Sequence, residues 1–321
     1  MLQEQPAITL PSNVPASGLS TAGRQRLAGL AWAAVTVCIF SGWFVVTRFS
    51  VTRELRVWDV TALRFGIGAL LLAPAILLHG RRLSRSAWLK GLAFACLWGV
   101  PFVISVALGL QLTSAARAAS IAPTLMPVFA GVFGFLFLHE RPSAMRWLGY
   151  AAILCGLVAL VGVGAAPPNP LGLLALASAA ALWATYTLLF RRSGLDAVQS
   201  AALICIWSAI LFLPVYIGLG LSRLAAASPS EIVFQALYQG VLMSSVAVVT
   251  FNRAVSLLGA AAATAIIALI PAVASAFAVP VLGEVPTLAE AVAIAAIVAG
   301  VLFAARAPAR PPVSKPSKGR P

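Results

Sequence analysis

The side chains of this chain that could recognise a solute are aromatic, hydroxyl and amide groups at helical spacing inside apolar runs, a pattern suited to binding. Phe40 and Trp43 lie three apart, with Ser41 between them and Thr36 and Thr47 flanking; Trp183 and Tyr186 repeat that spacing in a later run. Residues three apart share one face of a helix. A mid-helix tyrosine turned to lipid would leave its hydroxyl unpaired, whereas one turned to an internal cavity can bind water or a solute. Helix packing or an interfacial aromatic belt is the competing reading. A comparable stripe carries Trp98, Pro101, Phe102 and Ser105, and a further run carries Tyr238, Gln239, Ser244, Ser245 and Asn252. Gln and Asn are costly in hydrocarbon, so they are expected to point inward, to a cavity or into interhelical hydrogen bonds.

Bond-making chemistry has no such pattern. The sequence holds no HExxH, GxSxG, P-loop or GxGxxG, and its two histidines, His79 and His139, sit at the edges of apolar runs. No enzyme activity, metal or cofactor is expected. The carboxylates (Glu4, Glu54, Asp59, Glu140, Asp196, Glu231, Glu284, Glu290) all avoid the centres of the runs, so no buried proton relay is expected either. Arg64, Arg117 and Arg253 lie near run ends and are read as snorkelling anchors, with contact to an anionic substrate group as the alternative. Cys38, Cys96, Cys155 and Cys205 all fall within apolar runs and read as packing residues.

A chain of 321 residues that is 61% hydrophobic and 9% charged cannot hide so much apolar surface in a water-soluble core, so it must cross a membrane repeatedly. Its net charge of +14 lies between the apolar runs, where Lys and Arg anchor loops to one side of a bilayer; nucleic acid is not expected as a partner. Runs long enough to span as helices cover residues 28–48, 60–79, 88–112, 115–138 and 144–163, then 170–190, 198–220, 231–254, 260–282 and 287–305. The fold class is therefore an all-α integral membrane protein with ten transmembrane helices. Residues 1–26 and the basic segment 307–321 read as disordered cytoplasmic tails. With both termini in the cytoplasm, only Arg48, Arg53, Arg56, Arg64, Arg117 and Arg223 among the basic residues fall outside.

The two halves match at a shift of 144. Pro127 pairs with Pro271, Phe133 with Phe277, Leu138 with Leu282, Glu140 with Glu284, Ile153 with Ile297 and Gly156 with Gly300; at a shift of 143, Arg48 pairs with Arg191. Residues 27–165 and 166–306 thus read as two five-helix repeats, and an odd number of crossings inverts the second relative to the first. Pro127 and Pro271 lie mid-helix and free the carbonyls of Pro123 and Ile267, which marks the fourth and ninth helices as kinked, gating elements. Pro123 adds a bend beside them. Glu140 and Glu284 are read as caps on the first turns of the fifth and tenth helices, with a gating role as the alternative. Small residues around Gly156 and Gly300 suit a rigid back wall.

Two five-helix units, each with a proline-bearing helix followed by Leu-x-Glu-x-Pro, resemble the drug/metabolite transporter superfamily, specifically its EamA-like ten-helix permeases. Thr113-Ser114-Ala115 through Pro127 to Glu140-Arg141-Pro142, Ala260 through Glu284-Val285-Pro286, Arg64-Phe65 and Trp183-Ala184 carry the resemblance. It implies an inner-membrane carrier of small amphipathic metabolites, such as amino acids or their derivatives, with export as the expected direction and alternating access as the mechanism. It also implies a substrate cavity among helices one, three, four, six, eight and nine. The residues assigned to that cavity are Phe40, Ser41, Trp43, Trp98, Phe102, Pro123, Trp183, Tyr186, Tyr238, Gln239, Ser245 and Asn252. Phe40-Ser41 departs from the Trp-Gly pair of the family's first repeat. The expected partners are a small-molecule substrate and the lipid bilayer; a homodimer is left open. Broad drug efflux is the alternative within this class, and a non-transporting scaffold or lipid-handling component the alternative outside it.

Overall fold

A computed structural model describes residues 21–77, 83–140, 142–162, 169–258 and 260–306. Every regular element among them is helical: α1 Thr21–Val51, α2 Val57–Leu77, α3 Arg85–Trp98, α4 Val100–Leu112, α5 Ala115–Leu138, α6 Ala144–Gly162, α7 Pro170–Phe190, α8 Ala197–Gly218, α9 Pro229–Gln235, a π-helical segment Ala236–Val246, α10 Ala247–Leu258, α11 Ala260–Leu282 and α12 Leu288–Arg306. A single 3₁₀ turn covers Leu224–Ala226. Eight helical stretches among the described residues, two of them the composite stretches Arg85–Leu112 and Pro229–Leu258, are long and apolar enough to cross a membrane, and two shorter apolar stretches, Ala268–Leu282 and Leu288–Phe303, accompany them. Exposed Leu70, Phe137, Val158, Ile217 and Val292 give the outside of the bundle an apolar surface that water would not tolerate.

Local sequence accounts for the ends of these helices. Ser84, Ser114 and Asn169 accept hydrogen bonds from first-turn amides, and Asp196 with Gln199 forms a reciprocal capping box. Thr287 and Glu290 cap α12 in the same reciprocal way. α1 begins at Thr21, so part of the expected N-terminal tail is helical; residues 1–20 and 307–321 lie outside the described residues.

The expected third span is broken rather than continuous. Pro101 has no N–H to continue the ladder of α3, and the chain turns at Gly99 before restarting as α4. The eighth span is broken into α9, the π segment and α10. Glycines explain the close packing here: a Cβ on Gly240 would lie 2.5 Å from Ile67 Cβ, and one on Gly42 would lie 2.1 Å from the Tyr238 hydroxyl. The backbone of the π segment therefore sits directly against α2, and the Tyr238 side chain sits directly against the backbone of α1.

Packing between the halves is reciprocal. α1 packs on α11 and α5 on α7; α4 packs on α7 and α10 on α1; α2 packs on α8 and α6 on α12. At the last of these contacts Gly156 faces Ile297 while Gly300 faces Ile153. These are the residues paired by the 144-residue shift, each glycine meeting the isoleucine of the other half. The helix ends correspond as well. His139 (φ 55°) and Gly283 (φ 69°) both end their helices in the left-handed conformation, and Glu140 N–H donates to Gly134 O as Glu284 N–H donates to Ala278 O.

Candidate functional site

α1, α2, α3, α4, α7, the π segment and α11 converge on one cavity of about 30 Å³, lined by Phe40, Trp43, Phe44, Arg64, Trp98, Phe102, Trp183, Met243 and Ile270. The rings form a continuous box. Trp43 stacks on Phe102 at 6.1 Å between centroids and Trp98 on Trp183 at 6.2 Å; Phe102 meets Trp183 edge-on at 5.9 Å. Behind the wall, Tyr186 lies parallel to Trp98 at 4.8 Å, and its hydroxyl hydrogen-bonds to Ser200 at 3.0 Å. Such offset and edge-on contacts contribute about 0.5–1.5 kcal/mol each beyond area burial, so the box is stiff.

Of the residues assigned from sequence, Phe40, Trp43, Trp98, Phe102 and Trp183 meet in this wall. Ser41 lies beside it, fully buried, and donates to Ile270 O at 3.3 Å. Tyr238 donates to Ile39 O at 3.0 Å and joins the π segment to α1. Gln239 is in contact with the wall through Trp43. Pro123 and Pro127 lie within α5, and Pro271 within α11 next to Ile270, outside the lining. Ser245 carries a buried hydroxyl without a partner, away from the lining. The Asn252 side chain lies outside the described residues.

α9 and the π segment carry a polar network that meets the box only through Trp43, outside the lining. Glu231, Gln235 and Gln239 stand four residues apart and form one buried chain of hydrogen bonds. Trp43 Nε1–H donates to Gln239 Oε1 at 2.8 Å; Gln239 Nε2 donates to Thr47 Oγ1 at 2.9 Å and Gln235 Oε1 at 3.2 Å. Gln235 Nε2 then donates to Glu231 Oε1 and to Val46 O, both at 3.2 Å, and Ser50 donates to the same Glu231 oxygen at 2.6 Å. An indole N–H can only donate, so its bond orients both amides and the chain must end on an acceptor, which Glu231 supplies. Glu231 lies in the first turn of α9, away from any helix centre, yet is buried, because this chain and Ser50 satisfy it.

Arg64 is the residue for which the sequence offers a snorkelling anchor or contact with an anionic substrate group. α2 begins at Val57, which places Arg64 two turns inside the helix, 5% exposed, too deep to snorkel. Its guanidinium lies 5.1 Å from the Trp43 ring centroid and 5.9 Å from that of Phe65. Ser244 of the π segment donates to Arg64 O at 3.3 Å and to Gln239 O at 3.1 Å, fixing the backbone from which this cation projects. Arg64 Nη1 and Trp98 Nε1 are both buried and without hydrogen-bond partners.

Every described carboxylate is engaged elsewhere. Asp59 accepts from Arg56 N, Arg223 N and the Tyr216 hydroxyl; Glu54 accepts from Ser228 N; Asp196 caps α8. Glu290 pairs with Arg117 at 3.4 Å. Glu284 does not cap the helix that follows it: its Oε2 accepts from Ala115 N at 2.8 Å, on the first turn of α5, and its Oε1 accepts from Arg48 Nε at 3.0 Å. Thr287 and Glu290 already satisfy the start of α12, which frees Glu284 to reach across the halves. Arg48 continues the knot by donating to Leu110 O and Gln111 O. Glu140, beyond the other end of α5, lies 3.9 Å from Arg191, with side chains 42% and 62% exposed against 23% and 22% for Glu284 and Arg48. Two equivalent pairs, each joining the two halves, thus flank the box at opposite ends of one helix, one tight and one loose. No group of three His, Cys, Asp or Glu side chains among the described residues could hold a metal ion.

A sequence profile of the EamA-like transporter family matches residues 27–162 and again residues 170–306. A protein of Streptantibioticus cattleyicolor described as "Probable terminal-alkyne amino-acid exporter" is 29% identical over 193 residues, which is 59% of this chain and 63% of that protein. A crystal structure of a protein matches with a TM-score of 0.59 at 22% identity, covering 88% of this chain and 96% of that one, and shows the same fold.

Proposed function

Because the chain belongs to the EamA-like transporter family, we propose that it exports small amphipathic metabolites, amino acids or related compounds, across the inner (plasma) membrane by alternating access. It is a multi-pass membrane transporter with a small-molecule substrate, not an enzyme. The two matched halves are two inverted five-helix repeats, making ten crossings with both termini in the cytoplasm. Reciprocal packing, matched left-handed helix ends and the crossed Gly156/Ile297 and Gly300/Ile153 contacts support this reading.

One observation carries the mechanism. An aromatic box built from both halves lies between Arg48–Glu284, closed at 3.0 Å, and Arg191–Glu140, loose at 3.9 Å. Two equivalent pairs that exchange roles would expose the box to one side and then the other. The relative's name supports the substrate class, since an unsaturated side chain is an apolar body that ring faces accommodate. Broad efflux of cationic dyes is disfavoured, because a buried guanidinium already occupies the wall.

Reconstituted vesicles preloaded with unlabelled amino acid test this by counterflow. Aromatic and terminal-alkyne amino acids are expected to drive accumulation of labelled substrate above protein-free vesicles. Accumulation no faster than in those blanks, across aromatic, unsaturated and branched amino acids, would remove the substrate class.

A further inference from the structure

The box is unbalanced in a way that specifies its ligand. Two of the residues lining it, Arg64 and Trp98, carry buried N–H groups with no acceptor, and the lining side chains include no oxygen atom and no carboxylate. Leaving a buried donor unpaired costs about 1–3 kcal/mol, and an unpaired buried charge costs more. Among the described residues no carboxylate is available to Arg64, since each is committed to another partner. The Trp43 ring face offsets part of that cost, but Trp43 gives its own N–H to Gln239 and leaves none for a ligand. A cavity whose lining residues carry two unpaired donors, one of them a cation, among apolar walls lacks a singly charged acceptor.

Building on the transporter reading, we propose that Arg64 Nη1 and Trp98 Nε1 hold the substrate's carboxylate, and that the transported class is small monocarboxylates with an apolar body, in which the α-amino group is dispensable. A planar guanidinium and a carboxylate are matched in shape and charge. Phosphate, with close to two negative charges, would leave surplus charge in a low-dielectric box that holds one cation. The substrate's ammonium finds no acidic side chain in the lining, so it gains only ring faces, of which Arg64 already occupies one.

Counterflow in vesicles of the full-length protein, with four probes of one shape, reads this out. L-Phenylalanine and 3-phenylpropionate are expected to exchange within a few-fold of each other, and L-phenylalaninamide and 2-phenylethylamine at least about tenfold more weakly. Arg64→Gln should weaken both acids by about ten- to a hundredfold while leaving the amide and amine at their low level. Trp98→Phe keeps the ring and removes one donor, so a smaller loss for the acids alone is expected, and it stands as the test if Arg64→Gln fails to fold. Equal exchange of amide and acid, or acids unaffected in Trp98→Phe and in folded Arg64→Gln, overturns the carboxylate site while the transporter reading stands. No exchange of any of the four probes, nor of unsaturated and branched amino acids, overturns both.

Discussion

Glu284→Gln and Glu140→Gln should move the conformational equilibrium in opposite directions. In the present structure Glu284 takes two charge-assisted hydrogen bonds, from Arg48 Nε at 3.0 Å and from Ala115 N at 2.8 Å, with side chains only 22–23% exposed. Bonds to charged groups contribute about 1.5–3 kcal/mol. Glutamine keeps the acceptor oxygen and loses the charge, and partial exposure discounts the loss to about 1.4 kcal/mol, a tenfold shift in population. Glu140 at 3.9 Å from an exposed Arg191 contributes about 0–0.5 kcal/mol in this conformation, as surface pairs do. In the exchanged conformation it becomes the tight partner, so removing its charge destabilises that conformation and favours the one seen here. Spin labels on cysteines replacing Thr52 and Val285, in a background lacking the native cysteines, report the opening of the Arg48 end by pulsed dipolar distances. The longer-distance population should rise about tenfold in Glu284→Gln and fall several-fold in Glu140→Gln. A shift of both variants in one direction, or of neither, refutes the exchange of pairs.

Trp43→Phe leaves Gln239 Oε1 buried without its donor and should lower thermal stability by about 1–3 kcal/mol, read from unfolding of the detergent-solubilised protein; an unchanged midpoint would show that the chain to Glu231 is not coupled to the box. Gly283→Ala places a Cβ at φ 69° and should cost about 1 kcal/mol, whereas Gly283→Asn, tolerant of that conformation, should cost less; equal costs would argue against backbone strain. Gly156→Val puts bulk where even a Cβ lies 2.7 Å from Ile297 Cγ1, and a loss of about 1–3 kcal/mol is expected from overpacking, with no loss if α6 and α12 can separate freely.

Helix positions and the aromatic wall were legible because both follow from period and spacing. Phe40 with Trp43, and Trp98 with Phe102, share helix faces by their intervals alone, and the faces meet. The break at Gly99 could also be read, since a glycine two residues before a proline ends one helix and starts another. Thr287-Leu-Ala-Glu290 is a capping-box pattern, and reading it as one would have released Glu284 for a distant partner. Between the two readings of Arg64, burial at 5% exposure removes the snorkelling anchor and leaves contact with an anionic group; a boundary shift of one turn is all that separates the two. The Glu231, Gln235, Gln239 stripe had the right spacing, but burial of its carboxylate depends on Ser50, far away in sequence and supplied by a different helix. The π segment carries no local signal, since its register is set by contact of Gly240 with Ile67 and Gly42 with Tyr238.

The size of the box sets how binding and movement must be linked. About 30 Å³ suffices for a water molecule and falls far short of the several hundred Å³ that enclose a small organic ligand. A substrate therefore enters only by parting rings contributed by both halves. The α6–α12 wall cannot absorb that displacement, because Gly156 and Gly300 already hold the facing isoleucines at contact. Displacement is thus transmitted to α1, α5, α7 and α11, whose ends carry the two ion pairs. A ligand shifts such an equilibrium only by its difference in affinity between the two arrangements. Arg64 and Trp98 supply that difference if the box closes fully around a carboxylate and leaves both donors unpaired without one. A substrate lacking the carboxylate would still part the rings, yet it would gain nothing from their closure, and the carrier would move it slowly even where it binds.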